Sequence, residues 1–248
     1  MSDPTAGQAL PIAETFVSIQ GEGRLTGVPS YFVRVAGCNL RCSWCDTPYA
    51  SWLPEGQARA VSLIGEEASG SGVAHAVLTG GEPMIFDQIE PLSRLLAGAG
   101  LHVTVETAGT VFRPPARDGS GLACDLMSIS PKLANSTPEP GDARDPSGRW
   151  RTRHEQRRIN PEALRRLIGA WPERQVKFVV TDPGDLDEID ALLDELPGLK
   201  PSDVMLMPEG IQPPEAGTTD WIVRACTGRG WCYCRRLHID LFGNRRGT

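Results

Sequence analysis

The chain lacks any uninterrupted apolar run near the roughly 18 residues that a membrane-spanning helix requires. Residues Met1 to Ala9 are small and polar, without the basic stretch and apolar segment of a secretory leader. Basic residues are also in the minority, since 25 Lys and Arg oppose 31 Asp and Glu, a formal net charge of −6. These absences predict a cytoplasmic protein without a membrane partner. They also argue against nucleic acid as its main ligand, because phosphate binding needs a local excess of cations.

The length and composition suit a single globular domain. A chain of 248 residues is long enough for one full-sized core and short for two. Its hydrophobic content of 40% and charged content of 23% are ordinary for a globular protein. We therefore expect a flexible N-terminal tail over residues 1–10 and one α/β domain over residues 11–248.

Three of the seven cysteines, Cys38, Cys42 and Cys45, lie within eight residues. Such a loop can hold three irons of a [4Fe–4S] cluster, and because it supplies no fourth cysteine, one iron is left open. A structural zinc site needs a fourth Cys or His, and His75 is too distant in sequence for a short knuckle. A disulfide framework does not suit an odd number of closely spaced cysteines in a reducing compartment. The spacing therefore predicts a cluster with one free coordination position.

Segments of strand character alternate with segments of helix character along the chain. Predicted strands cover residues 12–19, 30–36, 74–78, 102–106, 123–130, 175–180, 203–207 and 232–237, and predicted helices cover residues 60–68, 88–99, 161–170, 185–196 and 219–228. This alternation implies right-handed βαβ units and a parallel sheet. About six of these eight strands belong to the βαβ pattern and cannot close an eight-stranded barrel, which predicts an open, partial (β/α)6-like barrel with ligands at the carboxyl ends of its strands.

Residues 134–160 interrupt this rhythm. They are rich in Pro, Asp, Gly and Arg and show no apolar periodicity, which predicts a long surface loop or partly ordered insertion without a functional role; a flexible flap over the site is the alternative. Near the C-terminus, Cys226, Cys232 and Cys234 match no cluster spacing, and we interpret them as buried free thiols.

Arg34 lies within an apolar strand, where a guanidinium needs a carboxylate partner. It forms either an internal salt bridge or a clamp on the carboxylate of a substrate. Other polar groups, including Glu106 and Lys177, lie on or at the ends of predicted parallel strands, where such sheets bind ligands.

The C-x3-C-x2-C spacing, followed by Gly80-Gly81-Glu82-Pro83, resembles the radical S-adenosylmethionine superfamily. The resemblance implies that the amino and carboxylate groups of S-adenosylmethionine chelate the open iron. It further implies that one electron from the cluster cleaves the sulfonium to give a 5′-deoxyadenosyl radical, which abstracts a hydrogen atom.

Within that superfamily the chain resembles the 7-carboxy-7-deazaguanine synthases. The resemblance rests on Gln20-Gly21-Glu22-Gly23, Cys45-Asp46-Thr47, Glu106-Thr107, Ser130-Pro131-Lys132 and Arg236-Leu237-His238. It implies a carbon–nitrogen lyase that converts 6-carboxy-5,6,7,8-tetrahydropterin to 7-carboxy-7-deazaguanine with loss of ammonia, on the route to queuosine.

The resemblance also implies roles for individual residues. Cys38, Cys42 and Cys45 would hold the cluster, and the hydroxyl of Thr47 would bind Mg²⁺, although from sequence alone a loop-capping role for Thr47 remains open. Contacts with S-adenosylmethionine fall to Trp44, Cys45, Asp46, Gly81, Glu82, Ser130, Pro131, Lys132 and Met207. Contacts with the substrate fall to Ile19, Gln20, Gly21, Glu22, Arg34, Thr79 and His238.

The expected partners are the small pterin substrate, a reductant of flavodoxin or ferredoxin type, and a second copy of the chain in a homodimer. Two other functions remain open at this point. A glycyl-radical-enzyme activase shares the cysteine spacing but acts on a polypeptide, so it has no need of Thr47 or Arg34. An iron–sulfur electron carrier is expected to have a fourth cysteine and has no use for Gly-Gly-Glu-Pro.

Overall fold

A nine-stranded sheet forms the centre of the computed structural model, which describes residues 8–248. Its strands are β1 (Ala9–Ile19), β2 (Pro29–Val35), β3 (Gln57–Ala60), β4 (His75–Gly80), β5 (His102–Thr107), β6 (Leu126–Ile129), β7 (Arg174–Val180), β8 (Val204–Pro208) and β9 (Cys232–Tyr233). The helices are α1 (Val61–Gly70), α2 (Ile89–Gly98), α3 (Arg149–Arg157), α4 (Pro161–Ala170), α5 (Asp185–Asp194), α6 (Asp220–Arg229) and α7 (Leu237–Phe242).

The sheet is open, with strand order β3-β1-β2-β4-β5-β6-β7-β8-β9. From β2 to β9 every neighbouring pair is parallel, whereas β1 and β3 add an antiparallel edge beside β2. The predicted open, partial barrel is therefore confirmed. Among the described residues, no helix is both long and apolar enough to cross a membrane.

Successive side chains of a strand point to opposite faces, and this alternation separates the core from the site. On β7, Val176, Phe178 and Val180 are buried in the main hydrophobic core. The residues between them, Lys177 and Val179, point instead toward the carboxyl-end cavity. The same division recurs on neighbouring strands, so the sheet presents an apolar face to its helices and a partly polar face to the cavity.

Several elements differ from the predictions. Strand β1 begins at Ala9, so the predicted tail overlaps it, and Leu10 is fully buried against the core; residues 1–7 lie outside the described residues. Strand β3 was not predicted, because its four residues are exposed or half-buried and carry no apolar signal. The predicted strand at residues 232–237 is wrong after Tyr233, where the chain turns into α7.

Residues 134–160, predicted as a long surface loop or partly ordered insertion, contain α3 and a short 3-10 turn at Ala134–Ser136, neither of which was predicted. Helix α3 has a mostly charged sequence, and only His154 in it is buried. A helix held by polar contacts leaves no apolar periodicity for sequence analysis to detect.

The close approach of β4 to β2 at Gly80 can be tested by substitution. Gly80 has φ +129°, and a Cβ there would lie 2.3 Å from the carbonyl oxygen of Val35 on β2. We expect Gly80→Ala to lower the free energy of unfolding by about 2 kcal/mol or more, because neither backbone can yield. Gly98→Ala is the matched control, since nothing lies within 4 Å of its Cβ position. Equal midpoints in urea unfolding of the two cluster-free variants would contradict this account.

Candidate active site

The carboxyl ends of the parallel strands open into a cavity of about 460 Å³. The cysteine loop, the turn after β1 and the C-terminal segment close around it. Nearly all the predicted site residues line this one cavity: Ile19, Gln20, Gly21, Glu22, Arg34, Cys38, Cys42, Trp44, Cys45, Asp46, Thr47, Thr79, Gly81, Ser130, Lys132, Met207 and His238.

Two predicted contacts do not reach the cavity. Glu82 is fully buried, and its carboxylate accepts hydrogen bonds from Met84 N (3.0 Å), Thr107 Oγ1 (2.8 Å) and Ala108 N (2.8 Å). Its carboxylate therefore ties the glycine turn after β4 to the end of β5 and does not face the cavity, so the predicted cofactor contact of Glu82 stays a prediction. Pro131 is buried and is likewise not among the residues that line the cavity.

The cysteine loop has little regular structure and is held from several sides. Trp52 Nε1 donates to the carbonyl oxygen of Cys42 (2.9 Å), and Gly37 N donates to that of Ala50 (2.8 Å). Burial raises the pKa of the Cys38 thiol to about 12 and also raises that of Cys42. Buried thiols of this kind ionise when a metal compensates their charge.

The donors in the loop fit an iron–sulfur cluster better than a single ion. Among residues 8–248, no three His, Cys, Asp or Glu side chains converge closely enough to hold one metal ion. Cys38, Cys42 and Cys45 instead border a common cavity, and the negative charges of Cys38 and Cys45 help to raise the pKa of Cys42. A cluster of four irons spans more space than one ion, and thiolates around such a cavity suit it.

The segment over residues 134–160 supports the outer side of this loop. Ser43 N donates to the carbonyl oxygen of Ser136 (2.8 Å), and Trp44 Nε1 donates to Asn135 Oδ1 (3.2 Å). His154 Nδ1 accepts from Arg41 N (3.1 Å), one residue before Cys42. The expectation that this segment has no role near the site is therefore wrong.

His154 is a neutral linker within that support. It is fully buried, and burial lowers its pKa to about 4. Because Nδ1 accepts a hydrogen bond from Arg41, Nε2 of the neutral ring carries the proton and donates to Ser136 Oγ at 2.9 Å. Ser136 Oγ in turn donates to the carbonyl oxygen of Leu133 (2.6 Å), so both ring nitrogens and the hydroxyl are satisfied.

Opposite the cysteine loop, Glu22 lies between two cations. Lys177 Nζ donates to Glu22 Oε2 (2.7 Å), and Arg236 Nε donates to Glu22 Oε1 (3.1 Å). Burial alone would raise the pKa of Glu22, but the two cations outweigh it and hold that pKa far below its usual range. Burial opposes the charge of Lys177 as well, yet Glu22 and Glu106 raise the pKa of its ammonium.

A second carboxylate, Glu106, organises the neighbouring wall. Gln20 Nε2 donates to Glu106 Oε1 (3.2 Å), and Thr79 Oγ1 donates to Glu106 Oε2 (2.8 Å). The side-chain oxygen of Gln20 accepts from Glu22 N (3.1 Å), which fixes the turn after β1. His238 packs on Gly21 so closely that a Cβ on this glycine would lie 1.9 Å from His238 Nδ1.

Arg34 was predicted to form either an internal salt bridge or a clamp on a substrate carboxylate. It forms the salt bridge, and its side chain also borders the cavity. Its Nε donates to Glu14 Oε1 (2.7 Å), and its guanidinium stacks 5.7 Å from the centre of the Phe16 ring. No contact in the described part of the chain occupies its terminal amino groups. The two interpretations are therefore compatible.

Sequence analysis missed several residues of the site. Arg236 joins Glu22 to Asp46 of the cysteine loop through hydrogen bonds to both carboxylates, and Arg245, Arg246 and Thr248 border the cavity. The pattern predicted a strand through residue 236, so it gave no reason to direct Arg236 toward the cavity. The motif Arg236-Leu237-His238 could have indicated a role for Arg236, because it places this residue two positions from the predicted site residue His238.

Comparisons with known proteins agree with this architecture. Residues 32–196 match the Radical SAM superfamily. The chain is 46% identical over 241 residues to the 7-carboxy-7-deazaguanine synthase of Rhodopirellula baltica, covering 97% of this chain and 89% of that protein. It is 42% identical over 249 residues to the enzyme of the same name from Halobacterium salinarum, covering 98% and 94%. The crystal structure of QueE from Escherichia coli matches 96% of this chain and 100% of its own, with a TM-score of 0.68 and 25% identity.

The neutral state of His154 predicts a pH-dependent stability. The pKa of His154 is about 4 in the folded chain and about 6.5 in the unfolded chain. The unfolded chain therefore binds the proton more readily, and the free energy of unfolding falls as the pH drops through this interval, by roughly 2 kcal/mol between about pH 7 and pH 5. In urea unfolding of the cluster-free protein, His154→Gln should lose correspondingly less stability over that range. An equal loss in both proteins would refute the assignment.

Proposed function

Because the chain belongs to the 7-carboxy-7-deazaguanine synthases, a family of the radical S-adenosylmethionine superfamily, we propose that it converts 6-carboxy-5,6,7,8-tetrahydropterin to 7-carboxy-7-deazaguanine. Ammonia is lost in this ring contraction, which serves the biosynthesis of queuosine and related 7-deazapurines. The observation that carries the proposal is the meeting of three cysteines and a buried polar network in one cavity at the carboxyl ends of the strands. We further propose that the enzyme acts in the cytoplasm, as a homodimer, with a reductant of flavodoxin or ferredoxin type.

Cys38, Cys42 and Cys45 hold a [4Fe–4S] cluster in this proposal, and the open iron binds S-adenosylmethionine. When bound and reduced, this pair supplies the 5′-deoxyadenosyl radical that removes a hydrogen atom from the substrate. The protein contributes position, because a primary radical that is not directed at its substrate attacks whatever lies nearest. The support from residues 134–160 and the burial of the loop serve that requirement.

The proposed contacts with S-adenosylmethionine surround the cluster loop. Backbone groups of Gly81 lie against the loop, since a Cβ on this glycine would be 2.0 Å from the carbonyl oxygen of Gly37. Lys132 Nζ donates to Ser130 Oγ (2.8 Å) and lies 5.5 Å from the centre of the Trp44 ring. No carboxylate of the described residues pairs with this ammonium, which supports a role in binding ligand oxygens. Asp46 and Met207 border the same space.

Thr47 is proposed as the protein ligand of Mg²⁺. The side chain of Thr47 makes no capping hydrogen bond to the 3-10 turn Pro48–Ala50 that follows it, which removes support for a loop-capping role. Its hydroxyl lies 3.8 Å from Cys45 Sγ and borders the cavity. A hydroxyl placed in this way suits a hard cation that keeps water and substrate oxygens as its other ligands.

The polar network provides the proposed substrate pocket. The donor and acceptor edge of a flat pterin suits the Gln20 side chain and the backbone from Ile19 to Gly21. Thr79, Glu22 and His238 bound the same space. The substrate carboxylate suits the terminal amino groups of Arg34, because Glu14 fixes this guanidinium through Nε alone.

The decisive experiment measures 5′-deoxyadenosine. The enzyme is reconstituted anaerobically with iron and sulfide, reduced with dithionite and given S-adenosylmethionine, with and without the carboxylated pterin. We expect 5′-deoxyadenosine and 7-carboxy-7-deazaguanine to accumulate together only when the pterin is present. Equal 5′-deoxyadenosine without the pterin would favour an activase, and none under either condition would favour an electron carrier.

Thr47 variants test the magnesium ligand. Thr47→Val removes the hydroxyl while keeping the shape, and Thr47→Ser keeps the hydroxyl. We expect the valine variant to lose about tenfold or more in kcat/KM at limiting Mg²⁺, and the serine variant to stay near the wild type. The check is a magnesium titration of product formation, with iron content measured in parallel to show that the cluster is intact. A valine variant with an unchanged titration would exclude Thr47 as the ligand.

Lys177→Met tests the buried ion network. The change leaves the carboxylate of Glu22 with one of its two cations and removes the cation beside Glu106, so the substrate pocket loses its charge balance. We expect kcat/KM for the pterin to fall about 100-fold while the protein still binds iron, since the cysteine loop lies on the other wall. Arg229→Gln, which breaks the exposed pair with Asp190, is the control and should leave the kinetics unchanged.

A further inference from the structure

Helix α3 concentrates positive charge in a chain whose net charge is negative. Its nine residues include Arg149, Arg151, Arg153 and Arg157 but only one acid, Glu155, in a chain of net charge −6. Arg149, Arg153 and Arg157 follow one another at four-residue spacing and so share one face of the helix. We call these three residues the arginine stripe.

The arginine stripe has no acidic partner within the part of the chain that the structure describes. Arg149 and Arg157 are exposed, and Arg153 packs its guanidinium 5.3 Å from the centre of the Trp150 ring. Two other arginines of this segment, Arg151 and Arg158, do have partners and are called the inner arginines. Arg151 Nη1 donates to the carbonyl oxygen of Pro138, and Arg158 pairs with Glu155 and Glu188. The segment thus uses its inner arginines in folding and leaves the stripe unpaired.

Like charges at four-residue spacing destabilise a helix slightly. Arg153 gains its contact with Trp150, and Arg157 suits the last turn of the helix, but neither arrangement supplies a negative counter-charge. Arginines elsewhere on the surface of the described chain, such as Arg229 and Arg246, mostly pair with carboxylates. An external partner with negative charge would compensate the stripe.

The stripe lies on the outer side of the loop that carries the cluster ligands. Trp150 belongs to the same helix, and the Arg41 guanidinium stacks 3.9 Å from the centre of its ring. The Arg41 N–H also donates to His154, and Arg41 directly precedes Cys42. Arg153 of the stripe thus contacts Trp150, and the same ring contacts Arg41 of the cysteine loop.

We infer that the arginine stripe is the docking site of a small acidic protein that delivers single electrons to the cluster. The inference rests on the proposed function, which needs an electron for each reductive cleavage of S-adenosylmethionine. In each delivery the carrier is oxidised by one electron and the cluster is reduced by one. Charge complementarity selects the partner, because a carrier with an acidic rim would be steered to a basic patch on an otherwise acidic protein.

Nucleic acid fits the same surface less well. The stripe contains three charges on a helix of nine residues, and Glu155 lies on the same helix, which is a small basic surface for the regularly spaced phosphates of a nucleic acid. A stripe beside the cysteine loop has a direct use for an electron carrier, since electrons must reach a buried group from the surface. The test distinguishes the two classes of partner.

The test compares two triple variants with the same change in charge. Arg149→Gln, Arg153→Gln and Arg157→Gln remove the stripe, whereas Arg117→Gln, Arg166→Gln and Arg224→Gln remove three exposed charges elsewhere. Photoreduced flavodoxin is the probe, and cluster reduction is followed by its absorbance in a stopped-flow spectrometer at low and high ionic strength. Binding of flavodoxin to the cluster-free protein is measured separately by its flavin fluorescence.

We expect the stripe variant to reduce its cluster about tenfold more slowly with flavodoxin at low ionic strength and to bind flavodoxin correspondingly more weakly. The rate at which flavodoxin reduces the stripe variant should also change less between low and high ionic strength. The control variant should match the wild type, and dithionite should reduce all three proteins equally, because a small reductant needs no docking site.

Several outcomes would overturn the inference. These are equal flavodoxin rates in the wild type and the stripe variant, an equal loss in both triple variants, or weaker binding of transfer RNA with an unchanged flavodoxin rate. If the triple variant does not fold, the single changes Arg149→Gln and Arg157→Gln at exposed positions should each slow flavodoxin reduction about twofold, and unchanged rates would overturn the inference in the same way. Failure of the pterin reaction with dithionite would instead remove the proposed function, while flavodoxin binding would still report on the stripe.

Discussion

The structure of the site depends on the pairing of a buried cation. Lys177 lies in the middle of the sheet, only 3% exposed, and a charge in that position is tolerated because Glu22 and Glu106 surround it. Glu22 also binds Arg236, and Arg236 in turn binds Asp46 of the cysteine loop. One chain of ion pairs therefore connects the first turn, the sheet interior, the C-terminal segment and the cluster loop. Charge thus joins the turn after β1 to the cysteine loop, in addition to the apolar packing of Trp44 against Val179 and Met207.

The opposite side of the cysteine loop depends on polar contacts of another kind. Asn135, Ser136 and His154 bind its backbone and Trp44 through neutral hydrogen bonds. Neutral donors and acceptors can be buried beside cluster ligands without adding charge to a site whose thiolates already repel one another. The loop is thus fixed by ion pairs on the cavity side and, behind it, by neutral bonds together with the Arg144 guanidinium, which donates to the carbonyl oxygen of Ser43 (2.9 Å).

These two kinds of contact explain what sequence could and could not predict. Apolar periodicity located β2, β7 and α4 to within a residue or two, and cysteine spacing located the cluster loop, because both signals are local in sequence. Arg236 and Glu22 meet across most of the chain, and no local pattern records such a pair. Helix α3 was missed for a related reason, since His154 is its only buried residue and its other side chains carry the composition of a surface loop. Glu82 belongs to a recognisable motif, yet its carboxylate turned out to bind backbone and Thr107 instead of facing the cavity.

The charge balance of the cavity also bears on the proposed magnesium ion. Three carboxylates, Glu22, Glu106 and Asp46, meet only two cations, Lys177 and Arg236, in the connected network. Arg34 is already compensated by Glu14. A substrate that enters with a carboxylate of its own adds a further negative charge to a poorly solvated space, where its repulsion by the fixed carboxylates is strong. The proposed divalent cation beside Thr47 would offset that charge, as would the ammonium of Lys132, which borders the same cavity without a carboxylate partner among the described residues. The acidity of the network therefore suits a cavity in which further positive charge accompanies the proposed substrate.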